Sequence, residues 1–171
     1  MPKKPEPPFI VWADTREQLV PPFPPGVEVV RHMMSEADYS TPALVDTARI
    51  ERKSVGDFVS TLSWGRERFD REVQRLQPFR WKVIVVEGNL TDTYRVSAMH
   101  PHSILGSIAS LYARWDVPTL FAGNEVGCGR LMAGILRRWE ARAAACSLCG
   151  ATEEKHDDAV CSFGFTRGPK T

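Results

Sequence analysis

Ile50-Glu51-Arg52-Lys53-Ser54-Val55-Gly56-Asp57 places two carboxylates, an arginine and a lysine in eight residues that begin in an apolar run. Strand side chains alternate between faces, so Glu51 and Lys53 are expected on one face and Ile50 and Arg52 on the other. An oxygen ligand for a hard cation then shares a face with an ammonium group, a pairing that metal-assisted phosphodiester hydrolysis uses. Residues 54–56 read as a turn, and 57–62 as a helix whose first turn brings Asp57 back toward the same place. A bare Glu-x-Lys more often marks an edge strand with solvated charges, and the pattern around this one is what separates the two readings.

Upstream, residues 9–13 are a short apolar run ending in Asp14-Thr15-Arg16-Glu17, as in a buried first strand that delivers a carboxylate at its end. Pro21-Pro22 and Pro24-Pro25-Gly26 force a loop. Residues 27–34 read as a second strand, 35–39 as a turn, 43–45 as a third short strand, and 48–53 as its antiparallel partner across a tight connection at Asp46-Thr47. That hairpin puts Asp38 and Glu51 on neighbouring elements.

Together these residues resemble the signature GDx(n)ERKxxxD of the XPF-type structure-specific endonuclease family. Glu51-Arg52-Lys53 and Asp57 match its second half in full, and Ala37-Asp38 matches its first half with alanine in place of glycine. Asp14-Thr15-Arg16-Glu17 is similar to the family's first-strand motif. The resemblance implies an α/β fold of the restriction-endonuclease-like type, a mixed central sheet flanked by helices, over residues 9–145. It implies magnesium or manganese held by Asp38 and Glu51, ions that hard oxygen ligands suit. Lys53 is then expected to orient the attacking water or offset charge on the phosphate, being a compact cation able to sit close to both. Asp14 and Asp57 are expected to orient the lysine or a water, Arg52 to stabilise the site or grip phosphate, and Arg16 and Glu17 to support it.

Residues 66–77 read as a second helix, in which Phe69, Val73 and Leu76 form a core-facing stripe while Arg68, Arg71 and Arg75 fall on another face. These arginines either hold DNA phosphates or pair with Glu67, Asp70 and Glu72 on a solvated face. Arg66 after Gly65 matches the family's Gly-Arg at this point, which implies a place near the substrate. A buried strand over 81–86 ends at Glu87-Gly88, as in the family. A helix opening at Pro101, a last strand over 117–121 and a terminal helix over 124–145 complete the alternation expected of an α/β sandwich. Gly127-Cys128-Gly129 is similar to the hairpin of a helix-hairpin-helix, but no paired helix or second copy accompanies it. Relatives carry tandem helix-hairpin-helix domains that bind DNA and mediate dimerisation, and 171 residues leave no room for them here.

Residues 1–8 are too proline-rich and polar to pack and read as a flexible lead-in. In the tail, 146–171, Cys146, Cys149, His156 and Cys161 give C-x2-C-x6-H-x4-C, a ligand set suited to structural tetrahedral zinc and loosely similar to a zinc knuckle. The other reading is a tail with incidental thiols. A net charge of +1 excludes a uniformly basic surface, so DNA affinity has to come from local patches. The longest apolar runs are far too short to span a bilayer and no signal peptide opens the chain, so an intracellular protein is expected, cytoplasmic in a prokaryote or phage host and nuclear in a eukaryote.

The expected function is that of a metal-dependent DNA endonuclease, for which the resemblance implies a preference for branched, flapped or junction DNA and a homodimer or heterodimer. One alternative is a noncatalytic DNA-binding scaffold paired with an active nuclease. Such a partner is expected to lose its acidic residues, whereas Asp14, Asp38, Glu51, Lys53 and Asp57 are all present. A zinc-stabilised protein-binding module is the other, and it leaves the carboxylates unexplained.

Overall fold

The computed structural model describes residues 7–148. Its strands are β1 (Phe9–Asp14), β2 (Val27–His32), β3 (Tyr39–Ser40), β4 (Ala48–Ser54), β5 (Trp81–Glu87) and β6 (Thr119–Phe121). They form one mixed sheet in the order β2-β1-β3-β4-β5-β6. β3 runs antiparallel to both β1 and β4, and the remaining neighbours are parallel. The helices are α1 (Val55–Leu62), α2 (Arg66–Leu76), α3 (Leu90–Val96), α4 (Pro101–Trp115) and α5 (Glu125–Leu148). This is the mixed sheet flanked by helices that the restriction-endonuclease-like reading implies.

The sheet is covered on both faces, which is why β5 reads as a continuous apolar run rather than an alternating one. Val83 and Val85 of β5 join Ile50, Tyr39 and Val11 in a core packed with Met132 and Leu136 of α5. Ile84 and Val86 point the other way, into a core with Phe58 and Leu62 of α1, Phe69 and Val73 of α2, and Ile104 and Leu111 of α4. Each large side chain so buried contributes about 1.5–3 kcal/mol, so these two cores rather than any ion pair carry the fold.

Three local readings change. The third strand is only Tyr39–Ser40, and residues Pro42–Leu44 form a 3-10 turn instead of the strand expected over 43–45. Pro42 explains this, because it has no N–H for a ladder and its fixed φ suits the first helical position. No turn separates β4 from α1: the strand runs through Ser54, whose Oγ accepts the Asp57 N–H at 3.0 Å and caps the helix directly. The sequence reading also missed α3, which opens on a capping box between Asn89 and Asp92.

Gly127-Cys128-Gly129 is no hairpin; it lies inside the first turns of α5. A Cβ on Gly129 would sit 2.1 Å from the Pro22 carbonyl oxygen and one on Gly127 2.0 Å from that of Ala122, so both glycines are there for close approach. Cys146 falls in the last turn of α5, and Cys149, His156 and Cys161 lie outside the described residues. Among the described residues no helix is long and apolar enough to cross a membrane.

Candidate active site

Asp38 is fixed between two strands. Its N–H donates to the Ile50 carbonyl at 3.1 Å, and its carbonyl accepts the Asp14 N–H at 2.8 Å. Its Oδ2 accepts the Arg52 N–H at 2.8 Å, so the carboxylate lies against β4 beside Glu51. Ala37, immediately before it, has φ +62°, in the left-handed region that favours glycine. Alanine thus holds, at a cost in strain one residue from Asp38, a conformation that a glycine at this position of the Gly-Asp motif would adopt freely.

Lys53 follows Glu51 on the same face, as alternation requires, and its Nζ lies 3.1 Å from Glu51 Oε1. A second carboxylate meets it: Glu72 Oε2 of α2 is also 3.1 Å away, and Glu72 in turn accepts from Arg68 Nε at 3.1 Å. Asp38, Glu51 and Glu72 line a cleft of about 190 Å³ with Arg16, Arg68 and Arg75. The three acid groups are half-buried there, whereas the three guanidinium groups are exposed.

The electrostatics follow from the count of neighbours. Burial, and then the charge on Glu51, push the Asp38 carboxyl up to about 8. Burial also raises Glu51, and Lys53 does not fully offset it because Glu72 and Glu17 add negative charge. Burial lowers Lys53, but two carboxylates, Glu51 and Glu72, outweigh that and hold it charged. Burial and mutual repulsion thus disfavour Asp38 and Glu51 as a pair of anions, a condition that a divalent cation relieves.

Arg52 is turned away from the cleft. Its Nε lies 2.9 Å from Glu87 Oε2 and its Nη1 3.4 Å from Glu17 Oε1, on the α5 side of the sheet, and its side chain is only 11% exposed. Of its two expected roles, stabilising the site fits this placement, whereas a grip on phosphate does not. Asp14 is buried and accepts from Arg16 Nε at 2.6 Å, the Arg16 N–H at 2.8 Å and the Met34 N–H at 2.7 Å. Burial would raise its pKa, but these bonds together hold it below the usual carboxylate value. It organises the loops on either side of β2, and Arg16, which it positions, reaches the cleft rim.

Asp57 is exposed and bonded to Ser54 Oγ at 2.7 Å, as part of the α1 cap rather than of the Lys53 cluster. Along α2, Arg68 and Arg75 reach the cleft, and Arg75 pairs with Glu36 at 2.7 Å. Arg71 is exposed elsewhere on the helix, and Arg66 lies toward α4, with Nη1 3.3 Å from Ser107 Oγ. Sequence reasoning missed Glu72 as the second partner of Lys53. Its position next to Val73 in the α2 stripe was visible, but not which strand residue the helix would bring it against.

Among the described residues, no group of three or more His, Cys, Asp or Glu side chains is arranged to hold a metal ion. Asp38 and Glu51 supply two carboxylates in a polar cleft, a donor set of hard oxygens that suits magnesium or manganese when waters complete the shell.

The sequence pattern of the ERCC4 domain matches residues 13–134. XPF from Aeropyrum pernix, solved in complex with DNA, is similar with a TM-score of 0.62 at 23% identity, over 78% of this chain and 66% of that one. A second structure of XPF from Aeropyrum pernix gives a TM-score of 0.62 at 19% identity, over 95% of this chain and 68% of the other. At these identities the likeness is one of fold, and the chain spans about two thirds of the length of these relatives. No curated protein matches the chain in sequence.

Proposed function

This chain belongs to the ERCC4 domain family and carries its nuclease domain, and from that premise we propose that it is a divalent-metal-dependent endodeoxyribonuclease for branched, flapped or junction DNA. The observation that supports this most is the Asp38–Glu51 pair beside Lys53, in a cleft that Arg16, Arg68 and Arg75 also line.

Magnesium or manganese would be held by Asp38 and Glu51, and when bound it supplies the Lewis acidity that polarises the scissile phosphate and makes water a usable nucleophile. Lys53 stays protonated because Glu51 and Glu72 both face it, and its ammonium offsets charge that builds on the phosphate. Glu72 fixes the direction of that ammonium. Arg16, Arg68 and Arg75 take flanking phosphates and so set the register of the strand. Arg52 holds the Asp38 carboxylate through its own N–H and fastens β4 to Glu87 and Glu17 behind it.

The same proposal includes an intracellular site of action, a dimer in solution and structural zinc on Cys146, Cys149, His156 and Cys161. Light scattering that returns only monomer overturns the dimer, and elemental analysis without one zinc per chain overturns the metal in the tail.

The central test is cleavage of labelled flap, fork, four-way-junction and plain duplex DNA with magnesium, comparing wild type with Glu51→Ala and Lys53→Ala. Cutting by wild type that both folded variants lose is the expected result. Wild type that binds these DNAs but never cuts them with magnesium or manganese overturns the reading in favour of a noncatalytic scaffold.

A further inference from the structure

We propose that Trp64 stacks on an unpaired nucleobase of the bound DNA. The inference rests on the nuclease reading above and adds to it the feature of the substrate that this chain grips. Trp64 is 98% exposed, the most exposed large hydrophobic side chain among the described residues. An indole is ordinarily among the more buried side chains, so its complete exposure calls for an occupant.

The ring is not on a loose loop. The turn between α1 and α2 that carries it is braced on both sides: Ser63 Oγ donates to the Val59 carbonyl at 3.0 Å, and the Gly65 N–H donates to that of Ser60 at 3.0 Å. The Gly65 carbonyl accepts the Phe69 N–H at 2.9 Å, which ties the turn to the first turn of α2. Trp64 is thus set out from a fixed support at the head of the helix that lines the cleft.

Its chain neighbours are Ser63, Gly65 and Arg66, so it is a single ring beside a cation and not part of an apolar run such as a protein interface buries. Arg66 is exposed apart from its bond to Ser107, and Arg68, 82% exposed, stands at the cleft paired with Glu72. A flat ring two residues before an exposed arginine in the chain suits a base and its phosphates. Glu72 stands six residues along α2 from its first residue, Arg66, on the order of 9 Å at the helical rise, or about three nucleotides at the rise of one strand. Bases in a duplex already stack on both sides, so the ring gains a partner only where the strand is unpaired.

The test compares wild type, Trp64→Ala and Trp64→Tyr by anisotropy on a labelled fork with an unpaired arm and on a duplex of equal length, in calcium buffer, alongside cleavage by wild type in magnesium. The expected result is that Trp64→Ala loses about tenfold of the preference for the fork and that Trp64→Tyr restores most of it, as a stacking contact does. An unchanged preference in Trp64→Ala, while wild type still binds and cuts, overturns the stacking role alone. So does an equal loss on fork and duplex, or light scattering in which Trp64→Ala breaks a dimer without altering DNA discrimination. A wild type that neither binds nor cuts any of these DNAs overturns the nuclease reading and this inference with it.

Discussion

Arg52 donates its backbone N–H to Asp38 Oδ2 at 2.8 Å, while its guanidinium lies on the opposite side of the sheet against Glu87. One residue therefore holds a carboxylate of the site with its main chain and anchors the strand with its side chain. Replacing Arg52 with alanine leaves Glu87 and Glu17 without their cation in a largely buried place, at a cost of about 3 kcal/mol. The expected outcome is a lowered denaturation midpoint, with cleavage per folded molecule reduced far less than in Lys53→Ala. Unchanged stability with lost cleavage would mean that the guanidinium reaches the substrate after all.

Asp38 gives the metal-free protein a pH dependence of definite sign. Burial and the charge on Glu51 raise its folded pKa to about 8, above the unfolded value of 3.8, so between these pH values the folded state binds the extra proton. Stability then falls as pH rises from about 4 toward 8, by at most about 1.4 kcal/mol per pH unit. Calorimetry without divalent cations is expected to show this decline, and Asp38→Asn to flatten it and raise the melting temperature at pH 8. A wild-type curve as flat as that of Asp38→Asn contradicts the account.

Glu72 is a positioning residue, since it meets Lys53 at 3.1 Å and acts through it. Glu72→Gln removes one of the two carboxylates that raise the lysine pKa, so Lys53 loses its proton at lower pH than in wild type. The expected outcome is about a tenfold loss of cleavage at neutral pH, with the alkaline limb of the pH–rate profile moved downward. A profile that falls uniformly, with its limbs in place, would assign Glu72 a purely structural part.

Ala37 keeps φ +62° without the freedom of glycine. Ala37→Gly removes a steric cost of about 1–2 kcal/mol and adds up to about 1 kcal/mol of chain entropy, for a net gain of about 0.5 kcal/mol. Ala37→Val is expected to lose more than about 1 kcal/mol, because a β-branched side chain tolerates this region least. Chemical denaturation of the three proteins checks the order glycine, alanine, valine.

Much of the fold and part of the site were legible in the residues alone. Alternation along Ile50 to Lys53 already put Glu51 beside Lys53 and turned Arg52 to the other face, because strand geometry is local and has period two. The apolar run of β5 and the stripe Phe69, Val73 and Leu76 were readable for the same reason; the expected placing of Asp38 beside β4 also holds, but Tyr39 makes that pairing, and the strand expected over 43–45 is a 3-10 turn. Tertiary structure decided the rest. Glu72 meets Lys53 only because the packing of Phe69 and Val73 against Ile84 and Val86 fixes the rotation of α2 over β4, and no short-range pattern specifies that angle. Likewise, Arg52 could have faced substrate from sequence alone; it is the closure of α5 over that face, with Glu17 brought from the loop after β1 and Glu87 from the end of the neighbouring β5, that buries its guanidinium. The chain writes periodicity and turns into adjacent residues, whereas the meeting of charges separated by 19 or 35 positions depends on how the two cores close.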